Sequence, residues 1–400
     1  MNRSHFRKVE QMPSRPKMRP RRALPRTRLT SAVQVPKNFT IDEVPFRPGV
    51  APPDVTDDAP DLGPLKAFTG TFTGRGFNTI FRPHNPSIPI GLDIEPPPSD
   101  NVLELNLTIE TLSFHDKLGK VPNRGLLQAD IELNGVPYLQ SISDVTDPTI
   151  TTPIHLEPGL WLIVPPTEHP DARESTFARL ASIPHGTTIN AQGTMVTIAG
   201  PPQIEPVDIT PFSITDPTVL HTFASQPVSD VTTARIPQDL SIAPAITQEL
   251  LNDPNLLLRQ HIDGMTILST DEITIDTDPT VVPGGGTDNI GFLVGFFSGP
   301  NATAARMSAV FWIETVQVQI EVGPLKAGDT AKVSPAVPLG APAPTFAVTS
   351  TYDVDAPRTV TVTYPQIQYT QNVSLNFATL TWPHVSVATL VPDKVIAVEL

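Results

Sequence analysis

Along much of the chain apolar residues return at every second position. Leu103, Leu105, Leu107 and Ile109 alternate with Glu104, Asn106, Thr108 and Glu110, the period of a strand half-buried on one face. Short runs of the same texture begin at Phe68–Phe77 and continue at 126–133, 137–143, 160–164, 177–183 and 187–198. Most are separated by Gly, Pro, Asn or Asp turn signals. A second block starts near 290: Val316, Val318, Ile320 and Val322 alternate with Gln317, Gln319 and Glu321, and Val360, Val362 and Tyr364 with Thr361 and Thr363. Val373, Leu375 and Phe377 then lead to a last run, Thr381–Leu390. This density of short strands predicts an all-β sandwich or barrel.

Between the blocks, 201–289 is Pro-rich and reads as an insertion. Its one helical passage, Ile246–His261, is broken by Asn252-Asp253-Pro254, an N-cap followed by proline at a first helical position, so two short helices are expected. His261 closes the second, where the helix dipole would favour its charged form. Pro283-Gly284-Gly285-Gly286-Thr287-Asp288 lacks the lysine of a phosphate loop and reads as a flexible link.

Composition adds a boundary. Residues 1–37 hold eleven Lys/Arg and one acid, Glu10; removing them from the chain's 27 basic and 41 acidic residues leaves 16 and 40, a body near −24. Such a body repels nucleic acid and anionic membrane, leaving any such contact to the arm. Residues 1–60, the arm and a Pro/Asp-rich linker, are expected to be disordered or extended, with 61–400 as the folded domain. The arm could be a targeting peptide, a nucleic-acid or partner-binding arm, or a solvated tail; Pro13, Pro16, Pro20 and Pro25 argue against an amphipathic targeting helix. The 47 prolines imply long irregular connections. Absence of cysteine excludes disulfides, zinc–thiolate sites and thiolate-ligated haem. No 18-residue apolar run occurs, and a cytoplasmic protein without membrane contact is the expectation.

Histidines carry the candidate chemistry. His84, His169 and His221 sit in loop contexts, His5 in the arm, and His115 before a turn. His155 shares a strand face with Glu157, a carboxylate placed to orient the ring or fix its tautomer. His185 follows Pro184 and precedes Gly186 at a turn. His384 shares its face with the small Ser386 and Ala388, while Val385, Val387 and Val391 take the other. That face suits either a ligand-binding imidazole or a core histidine bonded to a carbonyl.

Several phrases resemble the nitrobindin-type haem-binding barrels of the calycin class. Gly70-Thr71-Phe72-Thr73-Gly74-Arg75-Gly76 is similar to the family's opening Gly-x-Trp-x-Gly-x-Gly strand, with Phe72 at the tryptophan position. Ile154-His155-Leu156-Glu157-Pro158-Gly159 resembles its Met-His-x-Glu-x-Gly segment, Ala181–Gly186 its following hairpin, and Pro383-His384 with Ala388 and Leu390 its closing strand. The four occur in the family's order, over 63–200 and 290–392. The basic arm and the insertion at 201–289 have no counterpart there. The resemblance implies an up-and-down antiparallel β-barrel with a Pro-rich, partly helical insertion. It also implies haem b on His384, cofactor contacts from Gly74, Gly76 and Glu157, and peroxidase-type or nitrogen-oxide chemistry. His155 and His185 become the catalytic candidates, His155 the first choice for the distal side, with Arg75 or Arg82 as sources of positive charge. The partner would be a small-molecule ligand or peroxide, with a homodimer left open. Two other functions fit the same strands: a lipocalin-like binder of a small apolar ligand, and a viral coat subunit whose arm neutralises nucleic acid. No Gly-x-Ser-x-Gly elbow or His-Glu-x-x-His helix occurs.

Overall fold

A computed structural model describes residues 60–84, 101–169, 172–280, 284–295 and 301–400. The basic arm and nearly all of the linker predicted over 1–60 lie outside the described residues. Ten long strands form one antiparallel sheet that closes on itself: β1 (Gly70–Pro83), β2 (Asn101–Phe114), β3 (Ile131–Asp144), β4 (Thr152–Val164), β5 (Thr176–Ile183), β6 (Thr187–Ala199), β7 (Thr266–Asp276), β8 (Thr303–Val322), β9 (Arg358–Phe377) and β10 (Leu380–Pro392). Each pairs with the next in chain order, and β10 returns to β1 with Gly74 opposite Leu390. The result is an up-and-down barrel, in which closure leaves no free edge.

The expected insertion at 201–289 needs correction. Thr266–Asp276 is a barrel strand in its own right, with Ile273 and Ile275 wholly buried in the lumen. The excursion runs from Gly200 to Met265. Two short helices do form there, α1 (Gln248–Asn252) and α2 (Leu256–Ile262). α2 starts after Asn255 rather than at Pro254, because Asp253 accepts from the Asn255 amide and holds a separate turn. The glycine passage is not wholly a link either: Gly286–Asn289 pairs with Thr187–Asn190 of β6.

The excursion covers one side of the barrel wall. Its Ile204, Ile209, Ile246, Leu250, Leu251 and Leu258 pack on outward-facing Phe77, Phe81, Leu103, Leu105, Trp312, Trp382 and Val387. A small sheet of Thr330–Val333, Phe346–Thr349 and Ile396–Glu399 covers another side, over Val316, Ile320, Val362 and Tyr364. Burying each of these large side chains contributes roughly 1.5–3 kcal/mol. Leu103 and Leu105 of β2 therefore face outward beneath a cover, and Glu110, Thr108 and Asn106 point into the lumen, buried as well.

One end of the lumen is plugged. The short 3-10 turn Gly63–Ala67 brings Leu65 and Phe68 under the barrel. There Phe68 stacks on Phe114 at 4.4 Å between ring centroids and meets the edge of Trp161 at 5.6 Å. The other end stays partly open. Among the described residues no helix is long and apolar enough to cross a membrane.

Candidate functional site

The inward positions change character with depth. On β10 they read Leu390, Ala388, Ser386, His384 from the plug upward, and on β4 Trp161, Gly159, Glu157, His155. Above the plug lies a cavity of about 340 Å³, bordered by the three histidines, by the isoleucines Ile80, Ile142 and Ile154, and by the amides Asn78, Asn106, Gln140 and Gln371. His155, His185 and His384 thus converge although the last lies on the far side of the chain. The barrel brings β4 and the β5–β6 turn to face β10 across the lumen.

His384 is half-buried, and its Nδ1 lies 3.0 Å from the Thr79 carbonyl oxygen. A carbonyl only accepts, so Nδ1 carries the proton and a neutral ring keeps its lone pair on Nε2. Burial pushes the His384 pKa down to about 4; the Thr79 bond opposes the shift, and the neighbouring His155 and His185 add to it. Nε2 is therefore a free base at neutral pH. This is the state in which imidazole ligates metals, with the other nitrogen bonded to a carbonyl.

His155 has the opposite tautomer. Its Nε2 lies 3.2 Å from Glu157 Oε2, and because Glu157 stays ionised, Nε2 is the donor. Burial alone would push the Glu157 carboxyl up, but Arg179, 2.5 Å away, and the bonds from His155 and Tyr138 outweigh it and hold it down. The Nδ1 of a neutral His155 is left as a proton acceptor. His185 is exposed at the rim, its ring 5.7 Å from that of His155; burial of part of its ring lowers its pKa, and a proton on His155 would lower it further.

A polar layer underlies the cavity. Arg179 donates to Tyr138 at 2.7 Å and to Gln371 Oε1 at 2.7 Å, and lies over the rings of Tyr138, Trp161 and Phe311 at 5.2–5.6 Å. Beside it Glu110 accepts from Tyr369 at 2.6 Å, Thr108 at 2.9 Å and Gln140 at 3.3 Å. Burial raises the Glu110 pKa, and those three bonds counter only part of the shift. Asn78 donates to Ser386 at 2.7 Å and accepts from Asn106 at 3.2 Å.

Other expected site residues fall elsewhere. Gly74 and Gly76 do not border the cavity. A Cβ on Gly74 would sit 1.9 Å from the Thr389 carbonyl oxygen, and one on Gly76 2.2 Å from that of Val387 and 2.8 Å from Glu110 Oε1. These glycines make room for a neighbouring strand and a buried carboxylate. Glu157 is fully sealed and meets the cavity only through His155. Arg82 does reach the rim, paired with Glu104 at 2.8 Å, whereas Arg75 lies near His261 on the outer wall. His261 is not the charged helix end expected: it is buried against Thr389, and desolvation followed by the Arg75 charge lowers its pKa to about 4. Arg179, Tyr138, Glu110, Tyr369, Gln140 and Gln371 were missed. Their signal was a polar residue at every second place in strands whose other face is apolar.

No family model matches the chain, and no curated protein matches it. Among solved structures, the crystal structure of Rv2717c from M. tuberculosis is similar at 11% sequence identity and a TM-score of 0.33, over 84% of this chain and 99% of that one. A likeness so slight bears on neither fold nor function.

Proposed function

We propose that the cavity binds haem b, with His384 Nε2 as the atom that would hold the iron. One observation carries this reading: a neutral imidazole, its Nδ1–H bonded to the Thr79 carbonyl, presents a free lone pair to a barrel cavity that two further histidines face. The donor set fits. Among the described residues no three His, Asp or Glu side chains gather as a metal-ion site, and a bare divalent ion needs about three or four protein ligands. A porphyrin iron needs one imidazole. Ile80, Ile142 and Ile154 supply apolar wall for a flat macrocycle, and the partly open end does not confine it to the enclosed volume. The ordered motifs that resemble nitrobindin-type barrels support the same ligand.

Bound haem would supply electron-transfer and oxygen chemistry that no side chain here possesses. His384 would hold it. His155, its Nε2–H anchored on Glu157, would offer Nδ1 as the atom that accepts a proton from, and returns it to, a small protic ligand such as a hydroperoxide. Arg179 and Tyr138 keep Glu157 ionised and in place, which fixes the His155 tautomer. Peroxidase-type turnover is the activity this arrangement favours.

The test is titration of haem into the purified protein. The expected result is a Soret band that saturates at one haem per chain and is lost or shifted in His384→Leu; no spectral change in the unmodified protein would end the reading. A second reading rests on the amide-rich lining, which is a better seat for a small polar molecule than for the apolar ligand of a lipocalin-like binder. Under that reading His384→Leu leaves ligand affinity intact.

A further inference from the structure

Two tyrosines lie in the lumen beneath the cavity, each hydrogen-bonded to a buried glutamate, and the two pairs differ in one respect. Tyr138 donates to Glu157, whose charge is already neutralised by Arg179. Tyr369 donates to Glu110 at 2.6 Å, and Glu110 has only neutral partners, Tyr369, Thr108 and Gln140. A carboxylate clamped to a guanidinium is a poor base; one that is buried without a cation gains by taking a proton. Tyr369 also borders the cavity, whereas Tyr138 does not.

We propose that Tyr369 is a redox-active tyrosine, oxidised by one electron from the cavity side while its hydroxyl proton passes to Glu110. The proposal rests on the haem reading for its oxidant, a haem oxidised by peroxide. In the step, the O–H bond of the phenol breaks. The electron reduces the oxidant by one equivalent, and the proton forms an O–H bond on Glu110. A neutral phenoxyl radical and a neutral carboxylic acid remain, so no net charge is created in the lumen, which is what makes the step accessible at low dielectric. Proton and electron leave by different routes, the proton over a 2.6 Å hydrogen bond. The raised Glu110 pKa agrees with its role as acceptor.

The surroundings confine the radical. Tyr369 stacks on Phe311 at 5.3 Å, and Phe311 meets Trp161 edge-on at 5.0 Å. Trp161 is the next oxidisable ring, but the Arg179 guanidinium lies 5.6 Å from it and would repel an indole radical cation. The hole is therefore held at Tyr369 rather than passed down to the plug.

The experiment uses the full haem-free chain, so that it is independent of haem binding. The chain has four tyrosines, of which Tyr352 is exposed, and Tyr352→Phe serves as background. Flash-generated ruthenium(III) tris-bipyridine is the oxidant, and the radical is read by electron paramagnetic resonance and transient absorption. The expected tyrosyl signal disappears in Tyr369→Phe, persists in Tyr138→Phe, and forms about tenfold or more slowly in Glu110→Gln. Should Glu110→Gln fail to fold, the same coupling is read as a solvent deuterium isotope effect on radical formation in the Tyr352→Phe background. A radical centred on Tyr138, no tyrosyl signal, or formation without an isotope effect would overturn the proposal. Failure to bind haem would instead remove the oxidant of the proposed function and leave this result standing.

Discussion

The two halves of the barrel lumen are built from the same strands and share almost no chemistry. The lower half is a packed aromatic plug: Phe68, Phe72, Phe114, Trp161 and Phe311 interlock with Leu112 and Leu390. In the upper half the same inward positions carry His155, His384, four amides and three isoleucines around open space. Between them runs a layer in which Arg179, Glu157, Tyr138, Glu110 and Tyr369 satisfy one another. The difference teaches where stability and function reside: the plug closes the barrel and the polar layer aims the side chains above it. A histidine-lined cavity at the open end becomes possible because both lie beneath it.

That division can be broken most sharply at the middle layer. Arg179→Met leaves Glu157 buried without its cation and is expected to cost about 3–5 kcal/mol in denaturant unfolding. The pair Arg179→Met with Glu157→Gln is expected to recover most of it, because the uncompensated charge is gone. Additive losses would show that the layer is not an interacting unit. Next comes the plug: Phe68→Ala is expected to cost about 3 kcal/mol by leaving a cavity beside Phe114 and Trp161, with no change in ligand binding at the open end. A plug variant that altered the cavity's ligand affinity would show that the halves are not separable.

pH provides a third handle. His384 and His261 are both held near a pKa of about 4 by burial, below the unfolded value of 6.5. The unfolded chain therefore binds more protons between about pH 6.5 and 4, so stability present at neutral pH is lost as pH falls through that window. His261→Gln, on the outer wall, should flatten this slope without touching the cavity, as denaturant midpoints across the window would show. The smallest effect is expected at Ser386→Ala, which removes the hydrogen bond from Asn78. It should cost about 1 kcal/mol and enlarge the cavity by one hydroxyl; a larger loss would mean that the Asn106–Asn78–Ser386 chain acts as a unit.

Much of the barrel was legible in alternation alone. What alternation could not reveal is which face turns inward. The leucines of β2 suggested a half-buried strand, yet both of its faces are covered, because the Gly200–Met265 excursion buries Leu103 and Leu105 while Glu110 and Asn106 occupy the lumen. β7 was hidden by its Pro-rich surroundings. His155 and Glu157 were readable as neighbours because they are two residues apart on one strand face. Arg179 and Tyr138 were not, since they reach Glu157 only through strand pairing and the register that sets it. His261 was misjudged because a helix end was considered without the barrel wall packed against it.

The central proposal is that His384 would hold a haem iron, and exogenous imidazole tests it most directly. In His384→Gly the barrel should persist while haem affinity falls and the histidine-ligated spectrum is lost; added imidazole should restore both in a saturable manner. A His384→Gly protein that binds haem with unchanged affinity and spectrum, indifferent to imidazole, would contradict the account.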